Sequence, residues 1–312
     1  MIIDDIVKQV TEISTKTDYW FVRTDYGDYF ETYFKNNFIA IGWNNITLED
    51  LKKLDNESIR KKIATSEKLD PTKPKTKAKV TSILNKLNSF VKLKKDDIIV
   101  MPSRNSSRYA FGIVQNSNVF IENDNLNECK YNKRKKIKWI IEKPTSQLDP
   151  NFFTMRFTQH TISKIDDYSM FIDNVISSLY MKNNNAHFVL DINTSKEINV
   201  NSLISLIDNI QLLINNINKK FNLHEQIDRN SIRLNLQSPG QIEFKLPIGK
   251  SLITAATILS LTCCSENYQK SNSTEINKFI EVNTDTINKI KNSMNELEAD
   301  KEKINSFNYG LK

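Results

Sequence analysis

The sequence predicts an α+β fold with two domains, and three observations support this prediction. The length of 312 residues exceeds one average domain. Short apolar strand patterns and stretches of helical spacing are both present. The net charge of +7 lies entirely in residues 1–182, while residues 183–312 carry 14 basic and 14 acidic residues. The polar tract Lys182–Asn185 therefore separates a basic first domain, 1–182, from a neutral and smaller α+β domain, 186–312.

The first domain is organised around the stretch from Tyr19 to Trp43. Its pattern is strand, turn, helix and strand: Tyr19–Val22, Gly27, Asp28–Asn36 and Phe38–Ile41. Further elements follow from periodicity. Helices are predicted at 2–13, packing on a small barrel of which the Tyr19–Trp43 stretch forms one wall, at 47–64, where Thr47 and Asp50 resemble a capping box, at 80–90 and within 161–180. Residues 66–79 are predicted to form a loop. Strands are predicted at 98–101, 108–114, 119–121 and 133–141.

The second domain mixes strands with strongly apolar helices. Strands are predicted at 187–192, 231–236 and 241–246, and helices at 201–221, 251–264 and, as one long C-terminal helix, 283–304.

Several classes of protein are disfavoured by composition. Cys129, Cys263 and Cys264 form no CxxC spacing, which favours a reducing compartment and argues against a zinc ribbon. The N-terminus is acidic rather than signal-like. The apolar run 251–264 is shorter than the roughly 20 residues of a membrane span. These observations predict a cytoplasmic protein with no membrane partner.

Six short motifs follow one another in the first 180 residues: Trp20–Arg23 followed by Gly27, Phe38–Trp43, Asp96–Pro102, Arg108–Val114, Ile137–Trp139 and Gln159–Ile162. In their order they resemble the motifs of the PUA-like, EVE-related barrels of prokaryotic restriction and anti-phage proteins. The chain departs from the pattern at Asp96, where the family often has glycine, and at His160. The resemblance implies a PUA-like mixed β-barrel with flanking helices that binds nucleic acid or a nucleotide.

Aromatic and basic residues of this domain are candidates for ligand binding. Trp43, at a strand end, either stacks on a base or fills the core. The Arg23 guanidinium either binds a phosphate or pairs with a nearby aspartate. The loop that joins two strands from Met101 to Tyr109 is rich in donors, either for a flipped base or as an ordinary polar loop. Its candidate ligand-binding residues are Ser103, Arg104, Asn105, Arg108 and Tyr109.

The densest basic run offers candidate contacts to a nucleic-acid backbone. It contains Lys133, Arg134, Lys135, Lys136 and Lys138. These cations either contact phosphates or belong to a solvated edge strand, where lysine prevents aggregation.

Catalysis is weakly supported, because the three histidines are far apart and no HExxH, GxSxG or P-loop motif occurs. Glu243-Phe244-Lys245 on a strand, with Asp191 and Asp208 upstream, leaves a metal-dependent restriction-type nuclease as an alternative. Otherwise no catalytic residue, metal site or cofactor is predicted.

The sequence thus predicts a binding protein of an anti-phage system. The first domain binds nucleic acid, with DNA favoured over RNA and a modified or flipped base included, or a nucleotide signal. The second domain mediates homo-oligomer assembly or output to a partner effector protein. A membrane-acting effector is the remaining alternative.

Overall fold

The structure is a computed structural model, and the residues it describes are 2–70, 73–123, 128–157, 160–235, 239–263 and 273–306. The fold is α+β and forms two compact units of similar size. The half-barrel unit consists of residues 17–145 and 150–172, and the C-terminal unit consists of 1–16, 146–149 and 173–312. The predicted ranges 1–182 and 186–312 differ from this division, because Lys182 lies in a hairpin strand of the C-terminal unit.

The N-terminal helix α1 (Ile2–Lys8) accounts for a second difference. It was predicted to pack on the barrel, but Ile3 and Val10 lie in the hydrophobic core of the C-terminal unit. Amphipathic spacing indicates that a helix buries one face, and it carries no information about which core receives that face.

The half-barrel unit contains short strands interrupted by helices. In chain order its elements are β1 (Tyr19–Val22), α2 (Phe30–Lys35), β2 (Phe38–Ile41), α3 (Leu48–Lys53), α4 (Asn56–Ser66), α5 (Pro74–Lys92), β3 (Ile98–Pro102), β4 (Arg108–Val114), β5 (Phe120–Ile121), β6 (Lys133–Pro144), α6 (Phe152–Met155) and β7 (Ile162–Lys164). The helix α7 (Ser169–Ile176) contains the division between the units.

Local chemistry explains where these helices begin. Thr47 and Asp50 form the predicted capping box at the start of α3. The helix α5 begins at Pro74, six residues before the predicted start, so much of the predicted loop 66–79 is helical. Proline is well suited to the first helical position, because its missing N–H would have no partner there.

A curled half-barrel sheet forms the centre of this unit. Among the described residues the strand order is β2-β6-β4-β3-β1-β7, and β5 also pairs with β6. The strands β1 and β3 are parallel, and the other pairs are antiparallel. The long strand β6 pairs with β2 through its first residues and with β4 through the rest. The register shifts opposite Phe111 and Gly112, and such a bulge bends a strand and increases its twist.

The C-terminal unit packs helices around an antiparallel sheet. Its remaining elements are β8 (Leu179–Lys182), β9 (Asn185–Ile192), α8 (Val200–Lys220), β10 (Ser231–Asn235), β11 (Gly240–Pro247), α9 (Lys250–Cys263), α10 (Thr274–Val282), α11 (Thr284–Glu296) and α12 (Lys301–Ser306). The described strands have the order β10-β11-β9-β8. The predicted residues Leu236 and Cys264, at the ends of a strand and a helix, lie outside the described residues.

The predicted long C-terminal helix is wrong, because the chain forms α11 and α12 with a break between them. The helix α11 ends at Glu296, and Glu298 has a positive φ of 52°, which an α-helix does not accommodate. The sparse apolar residues of this segment have the spacing that is typical of a helix. Because that spacing continues across the break, it does not reveal where α11 ends. In the described part of the chain, no helix is long and apolar enough to cross a membrane.

Candidate functional site

Two neighbouring cavities in the half-barrel unit share Arg23 and Tyr26 in their walls. The aromatic cavity has a volume of about 740 Å³ and is lined by Arg23, Asp25, Tyr26, Ala40, Gly42, Trp43, Glu67, Tyr131 and Thr161. The arginine cavity has a volume of about 690 Å³ and is lined by Arg23, Thr24, Tyr26, Gly27, Pro102, Ser103, Arg104, Asn105, Ser106, Arg156 and Phe157. Both volumes lie in the range of small-molecule sites.

Two turns with unusual backbone geometry meet between the cavities. The left-handed φ angles are 52° at Asp25, 59° at Tyr26, 98° at Gly27, 57° at Asn105 and 54° at Ser106. The turns are in direct contact, because a Cβ atom added to Gly27 would lie 2.4 Å from the backbone N and Cα of Arg104. Left-handed non-glycine residues are costly and concentrate at functional sites.

The side chain of Tyr26 is 88% exposed although its backbone is held at positive φ. Packing therefore does not explain why a tyrosine occupies this position. A phenol ring standing in solvent at the edge of two cavities offers a free face on which a planar ligand can stack.

The arginine cavity is strongly cationic. Its lining includes Arg23, Arg104 and Arg156, and none of its described lining residues is Asp or Glu. The Arg23 Nη2 atom donates to the Arg156 carbonyl oxygen at 2.6 Å, which orients the Arg23 side chain. The Arg156 guanidinium carbon lies 5.0 Å from the ring centroid of Phe157, whose side chain is 69% exposed. Arg104 is exposed, so its guanidinium is available to an anion.

Trp43 is fixed in the wall of the aromatic cavity by its own backbone. Its φ of 57° is left-handed. Its carbonyl oxygen accepts hydrogen bonds from Lys133 Nζ at 2.9 Å and from the Ile46 N–H at 2.9 Å. The buried Lys133 therefore holds the strand end that presents the indole.

Asp25 connects the exposed turn to Tyr131 on the other side of the aromatic cavity. Its Oδ2 atom accepts hydrogen bonds from Lys130 Nζ and from the Tyr131 hydroxyl, both at 2.8 Å. The Lys130 hydrogen bond lowers the pKa of Asp25. Burial and the Asp25 carboxylate raise the pKa of Tyr131 to about 12. Asp25 is therefore a carboxylate, and Tyr131 a neutral donor, at neutral pH.

The predicted ligand-binding residues divide into two groups. Arg23 and Trp43 line the aromatic cavity, and Arg23, Ser103, Arg104 and Asn105 line the arginine cavity. The other two predicted residues, Arg108 and Tyr109, line neither cavity.

Arg108 and Tyr109 are occupied by structural contacts. The Arg108 guanidinium pairs with Glu31 and Glu142 at 2.5 Å and lies 5.1 Å from the Phe30 ring centroid. Tyr109 is 0% exposed, and burial raises the pKa of its phenol. Four consecutive residues of β4, Tyr109 to Gly112, are buried, so Tyr109 belongs to the buried strand rather than to the loop.

The predicted contacts to a nucleic-acid backbone do not fit three of the five residues for which they were expected, all of which lie in β6. Lys133, Arg134 and Lys135 are at most 5% exposed, whereas Lys136 and Lys138 are exposed. The buried side chains donate to backbone carbonyl groups: Lys133 to Trp43, Arg134 to Tyr131 and Cys129, and Lys135 to Leu93 and Ser117. Burial lowers the pKa values of Lys133 and Lys135 to about 8.

Glu243, Lys245 and Asp191, which carried the nuclease alternative, occupy neighbouring strands of the C-terminal unit. Glu243 is buried, and its oxygens bind His187 Nδ1 at 2.7 Å and Asn174 Nδ2 at 3.2 Å. The Asp191 carboxylate accepts a hydrogen bond from Lys303 Nζ at 2.8 Å, and Lys245 is exposed. Among the described residues, no group of three His, Cys, Asp or Glu side chains is placed to hold a metal ion.

Sequence reasoning missed Tyr26, Tyr131, Arg156 and Phe157. A signal for Tyr26 was available, because this residue directly precedes the predicted turn at Gly27 and connecting segments run over the protein surface. Arg156 and Phe157 follow the short helix α6, and no periodicity distinguishes them.

Comparison with known proteins gives one match. Residues 20–166 match a domain of unknown function, DUF8426. The match contains every described lining residue of both cavities. No curated protein and no solved structure matches the chain.

Proposed function

We propose that the half-barrel unit binds a nucleotide unit, either within a nucleic acid or as a free nucleotide, across the aromatic and arginine cavities. One observation carries this proposal: Arg23 and Tyr26 line both cavities. The aromatic cavity also contains Trp43 and Tyr131. The arginine cavity also contains two further arginines, and its described lining contains no carboxylate. An aromatic surface next to an anion site matches the chemistry of a base joined to a phosphate.

In this proposal the base and the phosphate of the nucleotide contact different residues. The base stacks on Tyr26 and faces Trp43, and the phosphate lies against Arg104 and Arg156. Asp25 is already paired with Lys130 and Tyr131, so it orients the wall and adds little repulsion toward the phosphate.

The resemblance to PUA-like, EVE-related barrels supports the same conclusion, since a curled half-barrel with flanking helices is compatible with that architecture. We extend the proposal accordingly to a cytoplasmic anti-phage protein that recognises DNA, RNA or a nucleotide signal. The C-terminal unit would then provide assembly or output to a partner effector.

Fluorescence anisotropy with labelled nucleotides and with single-stranded DNA and RNA tests the binding proposal. Replacing Arg104 or Arg156 by alanine removes a charge-assisted hydrogen bond, which contributes about 1.5–3 kcal/mol, so affinity should fall by about tenfold or more for each. Arg229→Ala, an exposed arginine of the C-terminal unit, is the matched control and should bind normally.

Two results would contradict the proposal: no binding of any of these ligands, or equal losses in the two site variants and the control. The defence role is tested separately by phage plating on bacteria that express the chain. We expect reduced plating with the native chain and normal plating with Arg104→Ala at equal protein abundance.

A further inference from the structure

A third cavity of the half-barrel unit lies between α5 and β7. Its volume is about 750 Å³, and we refer to it as the α5–β7 groove. It is lined by Lys77, Ala78, Thr81, Ser82, Asn85, Lys86, Ser89, His160, Ile162, Ser163 and Lys164. The α5 residues recur at intervals of three and four, so one polar face of the helix forms the length of the groove.

The chemistry of this groove is that of a polyanion site. Its described lining contains three lysines and a histidine but no Asp or Glu. Hydroxyl and amide groups of α5 provide further donors between the cations. The Ser163 Oγ atom is buried and has no hydrogen-bond partner in the described structure, so the groove contains one polar atom that its own fold leaves unsatisfied.

The cations of the groove differ in availability. Lys164 pairs with Asp18 and Asp166, which neutralises much of its charge. Lys77 is exposed and forms no ion pair with a described residue. Lys77 is therefore the cation best placed to contact a phosphate.

The groove and the aromatic cavity come close to each other at Lys86. The Lys86 side chain lines the groove, and its Nζ atom lies 5.8 Å from the ring centroid of Trp43. On the opposite wall, Thr161 lines the aromatic cavity while His160 and Ile162 line the groove. The groove and the aromatic cavity are therefore neighbouring cavities of the half-barrel unit.

We propose that the α5–β7 groove binds the phosphodiester backbone of a nucleic-acid strand, one nucleotide of which enters the aromatic cavity. This inference rests on the proposed function and narrows it, because it makes the ligand a polynucleotide rather than a free nucleotide. The groove provides the backbone contacts that were expected of β6, where Lys133, Arg134 and Lys135 are buried.

The groove dimensions set the length of strand that it accommodates. Residues 77 to 89 of α5 span about 18 Å at 1.5 Å per residue. A stacked single strand advances about 3.4 Å per nucleotide, so about five nucleotides cover this length. Affinity should therefore rise from a mononucleotide to an oligomer of about six nucleotides and then level off.

The test measures the affinities of oligodeoxynucleotides and oligoribonucleotides of one, three, six and twelve residues at several salt concentrations. The variant Lys77→Glu is compared with Lys79→Glu, which makes the same charge change on the same helix at an exposed position outside the groove. Circular dichroism and thermal melting check that both variants fold. A lost single-strand phosphate contact lowers affinity about fivefold at 0.1 M salt and reduces the salt slope by about 0.7.

We expect Lys77→Glu to weaken the hexamer and dodecamer by at least this factor, to leave mononucleotide affinity unchanged, and to exceed the effect of Lys79→Glu. The DNA and RNA series identify the preferred backbone. Equal losses in the two variants, or equal affinities for mononucleotide and dodecamer, would overturn the groove assignment and leave the nucleotide site intact. Absence of binding to every ligand would overturn both.

Discussion

Replacing Tyr26 by glycine separates ligand binding from folding more sharply than any other single change in the half-barrel unit. The ring is 88% exposed, so its removal gives up almost no buried area. The backbone φ of 59° is one that glycine adopts freely and that costs an L-residue about 1–2 kcal/mol. With glycine the unfolded chain has more conformational entropy. This lowers the free energy of unfolding by about 0.5–1 kcal/mol and offsets part of the stabilisation gained by removing the strained tyrosine.

The expected change in the free energy of unfolding therefore lies between about 0 and +1.5 kcal/mol, in the stabilising direction. Ligand affinity should change in the opposite sense. Loss of one base–aromatic stacking contact costs about 1–3 kcal/mol of binding free energy, which raises the dissociation constant roughly fivefold to 150-fold.

Urea denaturation gives the stability and anisotropy gives the affinity, each compared with Tyr26→Phe, which keeps the ring. The reasoning is refuted if Tyr26→Gly binds as tightly as the native chain, because the ring then stacks on nothing. It is equally refuted if the variant loses more than about 1 kcal/mol of stability, since an exposed, strained tyrosine has no such contribution to lose.

Three further predictions concern stability. Gly27→Ala should destabilise the half-barrel unit by about 1–3 kcal/mol in urea denaturation, because the φ of 98° and the 2.4 Å approach to Arg104 both exclude a Cβ. Burial lowers the pKa of Lys133 to about 8 from 10.5, so the unfolded chain binds more protons between those values and the free energy of unfolding should rise with pH across that window. Lys133→Met should reduce that rise. Glu243→Ala removes the hydrogen-bond partner of the buried His187 and Asn174 side chains and should cost about 1–3 kcal/mol in the C-terminal unit, measured by thermal and urea unfolding.

Much of the fold follows from local patterns. The strands β1 to β4 occupy the predicted stretches, because apolar runs bounded by glycine, proline and polar residues are typical of buried strands. The assignment of α1 and the end of α11 failed for another reason. The packing of α1 depends on which core receives its apolar face, and the end of α11 depends on one left-handed residue. Neither feature leaves a periodic signal in the sequence.

The buried cations of β6 show a more instructive failure. Ile137 and Trp139 face inward, and a period of two carried back along the strand places Lys133 and Lys135 on that same face. The charge of these residues led to the opposite expectation. A rule that follows the strand period before the residue type would have predicted their burial, and it would have required acceptors for each ammonium group.

The acceptors are backbone carbonyl groups at strand ends and loops, and this links the buried lysines to the candidate site. Lys133 donates to the carbonyl of Trp43, and Arg134 donates to the carbonyl of Tyr131, so two aromatic walls of one cavity are fixed by cations of one strand. A neutral apolar strand would lack these two hydrogen bonds and would no longer fix the two carbonyl groups from β6. The charges of Lys133 and Arg134 are therefore explained by positioning of the aromatic cavity, and our proposals assign contact with an anionic ligand to the exposed Arg104, Arg156 and Lys77.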